Sequence, residues 1–361
     1  MLSLLVFLLV LGVLIVIHEF GHFIAAKKIG VKVEQFSLGF GKKLLAKKSG
    51  DTEYSISAIP LGGFVKLAGD NMQEYKGAKD EYFSKTPGQR ALIIFFGPFF
   101  NYILGFLCFW LVFFFGYPTL TSRVGGLVDG FGAQAAGIHA GDRIVAIDGQ
   151  KVIYWEELQK LIQDNKDKGS ILLEIERDNK KQAVKVDIQD KEFTDLLGKK
   201  KNLGLIGITP YYDEVVKIRH GILKSFMLSA EKTWDLTVLT YNGLWRMLTG
   251  QMSVRDSVTG PLGIFVVTAK VANQGIVAIL NFMGLLSISL AIFNLLPLPI
   301  LDGGHILFLF IEKIRGKALG AKAENIVARV GLSLIIGLAV FVTYNDIARF
   351  FGERIVKWFV K

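Results

Sequence analysis

The sequence is short of cysteine and of charge. Its single cysteine in 361 residues, Cys108, lies inside an apolar run. That excludes a disulfide framework within the chain and any cysteine-based zinc site. Cys108 itself reads as a small buried apolar residue. Charged residues make up 20% of the chain, against about 25% in ordinary soluble domains. Acidic residues are outnumbered, 32 to 42, which leaves a formal net charge of +10. Also missing is a basic segment ahead of the first apolar run. That run continues through His18 and Glu19 to Ala25 and Ala26 before the first lysine. It reads as a retained membrane span rather than a cleaved signal peptide.

What the chain has in excess is apolar sequence, 51% of its residues. It gathers in four blocks: Met1 to Ile17, Ala91 to Tyr117, Ile276 to Leu301 and Val330 to Val342. Each approaches or exceeds the run of about 18 to 20 apolar residues that crosses a bilayer, the last only when Ile326 and Tyr344 are counted. An ordinary soluble enzyme is therefore excluded. Long polar stretches between the blocks exclude a pure helix bundle. The positive charge follows the same map. Lys27, Lys28, Lys32, Lys42, Lys43, Lys47 and Lys48 follow the first block, and Lys313, Arg315, Lys317 and Lys322 follow the third. Basic residues flanking spans mark cytoplasmic loops, so they report orientation and argue against a nucleic-acid partner.

The expected fold class is a polytopic α-helical membrane protein with four transmembrane helices and an inserted β-rich extracytoplasmic domain. Residues 1–118 hold spans one and two with a cytosolic loop. Residues 119–215 form the outer module, where short alternating strands such as Ile171–Ile175 are punctuated by Gly137, Gly141 and Gly149. Residues 216–275 read as an interfacial amphipathic region: Leu223 to Gln251 mixes Trp234 and Trp245 with Glu231, Lys232, Asp235 and Arg246. A fifth span there is the alternative, and it would invert everything after it. Residues 276–347 carry spans three and four, and 348–361 an amphipathic tail. The basic tail residues Arg349, Arg354, Lys357 and Lys361 fall on the side this orientation does not favour.

The chemistry lies inside the first span. His18-Glu19-Phe20-Gly21-His22 is an H-E-x-x-H string. On a helix His18 and His22 are one turn apart and face one side, as two imidazole ligands of a zinc ion require. Glu19 sits beside them, placed to take a proton from water. Ionisable residues in a span are expensive unless partnered or functional, although side chains at a helix end also snorkel to the interface. A hydrolytic zinc needs a third protein ligand and an open position. Span three ends Asn294-Leu-Leu-Pro297-Leu-Pro299-Ile-Leu-Asp302-Gly-Gly-His305. The prolines break the helix, and Asp302 reaches a depth similar to that of His22. Asp302 as a simple N-cap is the plainer alternative, and His305 reads as a surface residue.

Together these two strings resemble the site-2 protease family of intramembrane zinc metalloproteases, in particular its RseP-like bacterial members, over nearly the whole chain. The resemblance implies one zinc ion per chain held by His18, His22 and Asp302, with Glu19 activating water. Gly97-Pro98-Phe-Phe-Asn101 resembles the family's G-P-x-x-N element. Asn101 is either helix-packing glue or a substrate contact. Asn294 is a candidate oxyanion or substrate-backbone donor, with helix packing the alternative. Ser55 to Gly69 reads as a hairpin with Gly62-Gly63 at its bend and Phe64 after it. In the family an equivalent hairpin dips into the membrane and offers an edge to an unwound substrate. The outer module resembles a single PDZ domain, roughly Thr121 to Tyr211, whose Leu205-Ile206-Gly207-Ile208 would dock peptide C-termini; a ligand-free spacer is the alternative. Well-known proteobacterial relatives carry two such domains.

The implied activity is regulated intramembrane proteolysis. The implied substrates are single-pass membrane proteins already trimmed by another protease, such as anti-sigma factors or signal-peptide remnants. The implied place is the bacterial inner membrane, with lipid around the spans and the active site toward the cytosol. A PDZ-bearing membrane scaffold with a structural metal site is the alternative. A metal transporter is a third class, but it needs a polar path through several spans and only one cluster is visible.

Overall fold

A computed structural model describes residues 2–194, 200–317, 329–333 and 336–349. The expected tail helix from Phe350 to Val360 lies outside the described residues. Among the described residues, four helices are long and apolar enough to cross a membrane: Leu2–Ile29, Pro87–Phe115, Ile276–Asn294 and Arg329–Arg349. They coincide with the four apolar blocks. The chain divides into two compact units. One comprises Met1–Val112, Ile222–Leu244 and Ser253–Lys361; the other comprises Phe113–Gly221 and Trp245–Met252.

The first unit opens with helix α1 (Leu2–Ile29) and strands β1 (Val33–Ser49) and β2 (Thr52–Leu67). Both strands are long and irregular, and they pair twice. Ser49 faces Thr52 across a tight turn at Gly50-Asp51, while Val33 faces Leu67. Phe36 opposes both Tyr54 and Val65, and Ser37 both Ser55 and Phe64. The 33–38 arm therefore lies between the two arms of β2. This corrects the expected Ser55–Gly69 hairpin. Gly63 pairs with Leu38 instead of turning the chain back on Ser55–Ile59. The reason is competition for one edge: the 33–38 arm occupies it. Helix α2 (Pro87–Phe115) follows, with Pro98 in its interior.

The second unit is β-rich. Strands β3 (Tyr117–Leu120) and β4 (Val124–Leu127) precede the short helix α3 (Gly132–Ala135). Strands β5 (Arg143–Ile147) and β6 (Gln150–Lys151), helix α4 (Trp155–Asp164), and strands β7 (Ser170–Arg177) and β8 (Lys180–Asp187) come next. Then follow β9 (Gln189–Thr194), β10 (Lys200–Leu205), β11 (Ile208–Pro210) and β12 (Val215–Ile218). The main sheet has the order β6-β5-β7-β8; β3 pairs with β12, β4 with β11 and β9 with β10. Alternate residues Ile171, Leu173 and Ile175 of β7 point inward with period two. Trp155, Leu158 and Ile162 of α4 meet them at helical spacing. Each buried side chain of this size stabilises the unit by about 1.5–3 kcal/mol. The Glu157 carboxylate caps α4 by accepting the N–H groups of Ile153 (3.1 Å) and Tyr154 (3.3 Å). The β3–β12 pair carries the unit past the expected 119–215 limits at both ends.

The chain then forms α5 (Ile222–Leu248), α6 (Val254–Ser257), α7 (Pro261–Ala272), α8 (Ile276–Asn294), α9 (Asp302–Arg315) and α10 (Arg329–Arg349). Region 216–275, expected to be one interfacial amphipathic region, contains three helices, α5 to α7, none of them among the four long and apolar enough to cross a membrane. Helix α5 buries small polar residues, Ser225, Ser229 and Thr233, and exposes Trp234. The Ser229 hydroxyl donates to the Phe106 carbonyl of α2 at 2.6 Å, the kind of close contact small polar residues make between membrane helices. Helix α7 is wholly apolar in its first half and sets Phe265 edge-on to Phe7 of α1, ring centroids 5.5 Å apart. Its start is held by the buried Asp346 of α10, which accepts the Gly260 and Gly263 N–H groups.

Candidate active site and metal centre

Helix α1 presents His18 and His22 on one face, their Nε2 atoms 3.3 Å apart. Helix α2 crosses α1 at this level because glycines remove the side chains that would separate them. A Cβ on Gly21 would fall 2.1 Å from the Phe96 carbonyl oxygen. The third partner arrives from the far end of the chain. After α8, two prolines stop the helix, and the turn packs down on Gly303-Gly304. A Cβ there would meet the Leu295 and Leu298 carbonyl oxygens at 2.2 and 2.1 Å. This contact sets Asp302 at the first turn of α9, where the helix dipole favours a carboxylate.

Asp302 Oδ2 lies 3.3 Å from His18 Nε2, and Oδ1 lies 3.8 Å from His22 Nε2. The three ligand atoms lie within 4.8 Å of one another. Two imidazole nitrogens and one carboxylate suit zinc, and three protein ligands leave a position open for water or substrate. Asp302 Oδ2 is buried without a hydrogen-bond partner among the described residues, as expected of an oxygen placed for a cation. The rear nitrogens of both rings turn to α2. His22 Nδ1 is 3.0 Å from the Ile93 carbonyl oxygen, and His18 Nδ1 is 3.4 Å from the Asn101 amide nitrogen.

Glu19 is half-buried beside the Val65 backbone N–H of β2. A cavity of roughly 570 Å³ opens in front of Glu19, His22 and Asp302, walled by Val65, Leu67, Ile93, Ile300 and Phe308. Its polar residues include Asp70, Tyr82, Arg90, His305 and Glu312. Sequence reasoning did not single out Arg90 or Glu312. The available signal was a charge at the border of an apolar run, and their pairing in space carried none. Arg90 Nη2 donates to Glu312 Oε1, and the guanidinium lies 5.8 Å from the Tyr82 ring centroid and 5.5 Å from that of Phe83. Burial pushes the Tyr82 phenol above its ordinary range, against the opposing Arg90 charge. Burial also raises the Asp70 carboxyl, although the Leu67 N–H donates to it at 3.0 Å.

The other expected residues divide. Gly63 lies against Glu19: a Cβ there would be 3.4 Å from Glu19 Cγ. Gly62 packs on the Phe40 ring, and Phe64 stacks on the same ring at 6.2 Å. Asn101 is fully buried and is not among the residues lining the cavity. The close crossing of α1 and α2 encloses it behind His18. Asn294 is half-buried at the end of α8 and is also absent from the cavity lining. His305, expected at the surface, is exposed and lines the cavity one turn after Asp302. Leu205, Ile206, Gly207 and Ile208 line a separate cavity of roughly 630 Å³ with Trp155, Leu158 and Ile162 of α4.

The peptidase family M50 model matches residues 6–338, so the chain belongs to that family, the site-2 proteases. It is 32% identical over 450 aligned positions to the regulator of sigma-E protease RseP of Escherichia coli, covering 95% of this chain and 98% of the relative. It is 30% identical over 429 positions to the zinc metalloprotease RasP of Geobacillus kaustophilus, covering 97% and 98%. A solved PDZ domain of an SdrC-like protein from Listeria monocytogenes is similar to 25% of this chain and 87% of its own length, at 25% identity and a TM-score of 0.21.

Proposed function

We propose that this protein is a zinc endopeptidase that cuts peptide bonds within transmembrane segments. The observation that carries this reading is the meeting of His18 and His22 with Asp302, from opposite ends of the chain, beside Glu19 and at the wall of a cavity. One zinc ion would be held by His18, His22 and Asp302; when bound, it polarises the scissile carbonyl and acidifies water. Glu19 takes the proton from the attacking water and passes it to the leaving nitrogen. The Val65 N–H lies beside this carboxylate. The apolar cavity walls exclude bulk water and receive apolar substrate side chains. A helical substrate hides its carbonyls, so it must be extended first. The β2 edge beside Glu19 is placed to pair with the extended strand.

The substrates proposed are single-pass membrane proteins already trimmed by another protease, such as anti-sigma factors or signal-peptide remnants. The β-rich unit is read as an extracytoplasmic PDZ domain. It would exclude large ectodomains, take a peptide C-terminus at Leu205–Ile208, or both. The zinc site would face the cytosolic side of a bacterial inner membrane. The test is cleavage of a model transmembrane substrate by purified wild type and Glu19→Gln in detergent or vesicles, with zinc counted per chain. Glu19→Gln should bind zinc at the wild-type ratio and lose turnover by at least a thousandfold. Equal cleavage by both would overturn the mechanism. Absence of cleavage by both, with zinc bound, would favour the membrane scaffold.

A further inference from the structure

We propose that Asn101 is a positioning residue for the metal centre, its side-chain carbonyl accepting the Nδ1–H of His18 and thereby fixing which ring nitrogen faces the metal. The inference rests on reading His18 as a ligand through Nε2. That nitrogen is the one 3.3 Å from Asp302 and 3.3 Å from its counterpart on His22. A neutral imidazole whose Nε2 lone pair is free for a metal carries its proton on Nδ1. Nδ1 of His18 therefore needs an acceptor.

The atom 3.4 Å from it is assigned as the Asn101 amide nitrogen, which would set a donor against a donor. Meanwhile the Asn101 amide oxygen is buried with no partner among the described residues. Nitrogen and oxygen of such an amide are interchangeable in shape, so the hydrogen-bond network decides between them. Turning the amide by half a rotation satisfies the oxygen and supplies the acceptor His18 requires.

Two further observations support the role. His22 is treated the same way: its Nδ1 is 3.0 Å from the Ile93 carbonyl, also on α2. Both rings are thus tied from behind to one helix, leaving both Nε2 atoms toward Asp302. Asn101 is also immobilised. It is fully buried, and the buried Ser287 hydroxyl of α8 donates to its backbone carbonyl at 2.6 Å. A polar side chain enclosed at this depth is costly unless bonded. Partners of this kind typically change metal affinity by about 10–100-fold when removed.

The experiment measures zinc affinity by chelator competition, together with the visible spectrum of the cobalt-substituted protein, for wild type, Asn101→Leu, Asn101→Asp and Ser287→Ala. Asn101→Leu, which lacks an acceptor, should bind zinc at least tenfold more weakly and alter the cobalt bands. Asn101→Asp keeps an acceptor and should stay within about threefold of wild type. Ser287→Ala, which loosens the Asn101 backbone but keeps its side-chain acceptor, should weaken zinc binding less than Asn101→Leu does. Equal weakening in the Leu and Asp variants, or none in the Leu variant, would overturn the proposal. If the Leu variant fails to fold, the Asp variant decides: a tenfold loss of affinity overturns the role, and wild-type affinity with unchanged cobalt bands sustains it. Failure of the wild type itself to bind zinc would instead overturn the metalloprotease reading.

Discussion

Gly97 of α2 and the His22 imidazole of α1 occupy adjoining space that leaves no room for a methyl group. A Cβ on Gly97 would fall 2.3 Å from His22 Nε2 and 3.0 Å from His18 Cε1. Real atoms do not approach so closely, so Gly97→Ala must displace a ring or part the helices. Zinc per chain should fall at least tenfold at physiological zinc, and cleavage with it, while the protein still inserts in membranes. Full zinc content in purified Gly97→Ala would show that the rings have another way to reach the metal.

Gly63 tests the strand rather than the metal. Its hypothetical Cβ lies 2.9 Å from the Ser37 carbonyl oxygen, 3.1 Å from Ile15 Cγ2 and 3.4 Å from Glu19 Cγ. Gly63→Val should push the 63–67 arm away from α1 and draw the Val65 N–H away from Glu19. The expected result is kcat lowered by at least tenfold with zinc content unchanged. A simultaneous loss of zinc would mean the strand supports the ligands as well.

The Arg90–Glu312 pair joins the starting end of α2 to α9, which begins with Asp302. Its side chains are only 6% and 16% exposed. Removing one partner strands the other charge, so Glu312→Ala should cost about 3 kcal/mol and lower the thermal midpoint. Replacing both by leucine should recover much of that loss. A double variant no more stable than the single one would indicate that the pair does more than neutralise itself.

In the β-rich unit, burial works to raise the Asp142 carboxyl, but the Arg177 guanidinium, bonded to both oxygens at 2.7 Å, and the His139 N–H hold it below the usual range. A depressed folded value stabilises the unit above the unfolded carboxylate range, near 3.9. That stability is lost as pH falls from there through the folded value. Asp142→Asn should cost about 2 kcal/mol at neutral pH and flatten the acid limb of a stability–pH curve. An unchanged acid limb would place the acid sensitivity elsewhere.

The apolar blocks needed no tertiary information, because bilayer thickness imposes their length. His18, Glu19 and His22 were also legible, since helical periodicity alone sets them on one face and beside it. The strand arrangement was not. Gly62-Gly63 has local turn chemistry, yet the bend Ser55–Gly69 appeared to form is opened by the 33–38 arm, a partner some twenty residues away in sequence. Helix α5 shows a related limit. Its tryptophans and charges fit an interface, but its packing is set by Ser225, Ser229 and Thr233, which carry no hydropathy signal.

The sequence by itself determined four apolar helices, two histidines on one helix face with a glutamate beside them, and a carboxylate following a proline break. Each rests on local spacing or on composition over a short window. Only the tertiary structure decided that Asp302 closes on His18 and His22, that Asn101 lies behind the His18 ring, and that Arg90 meets Glu312. Those relationships join residues from about 80 to almost 300 positions apart. They depend on glycines that let helices touch and on buried polar groups that must find partners, and neither condition can be read from a single stretch of chain.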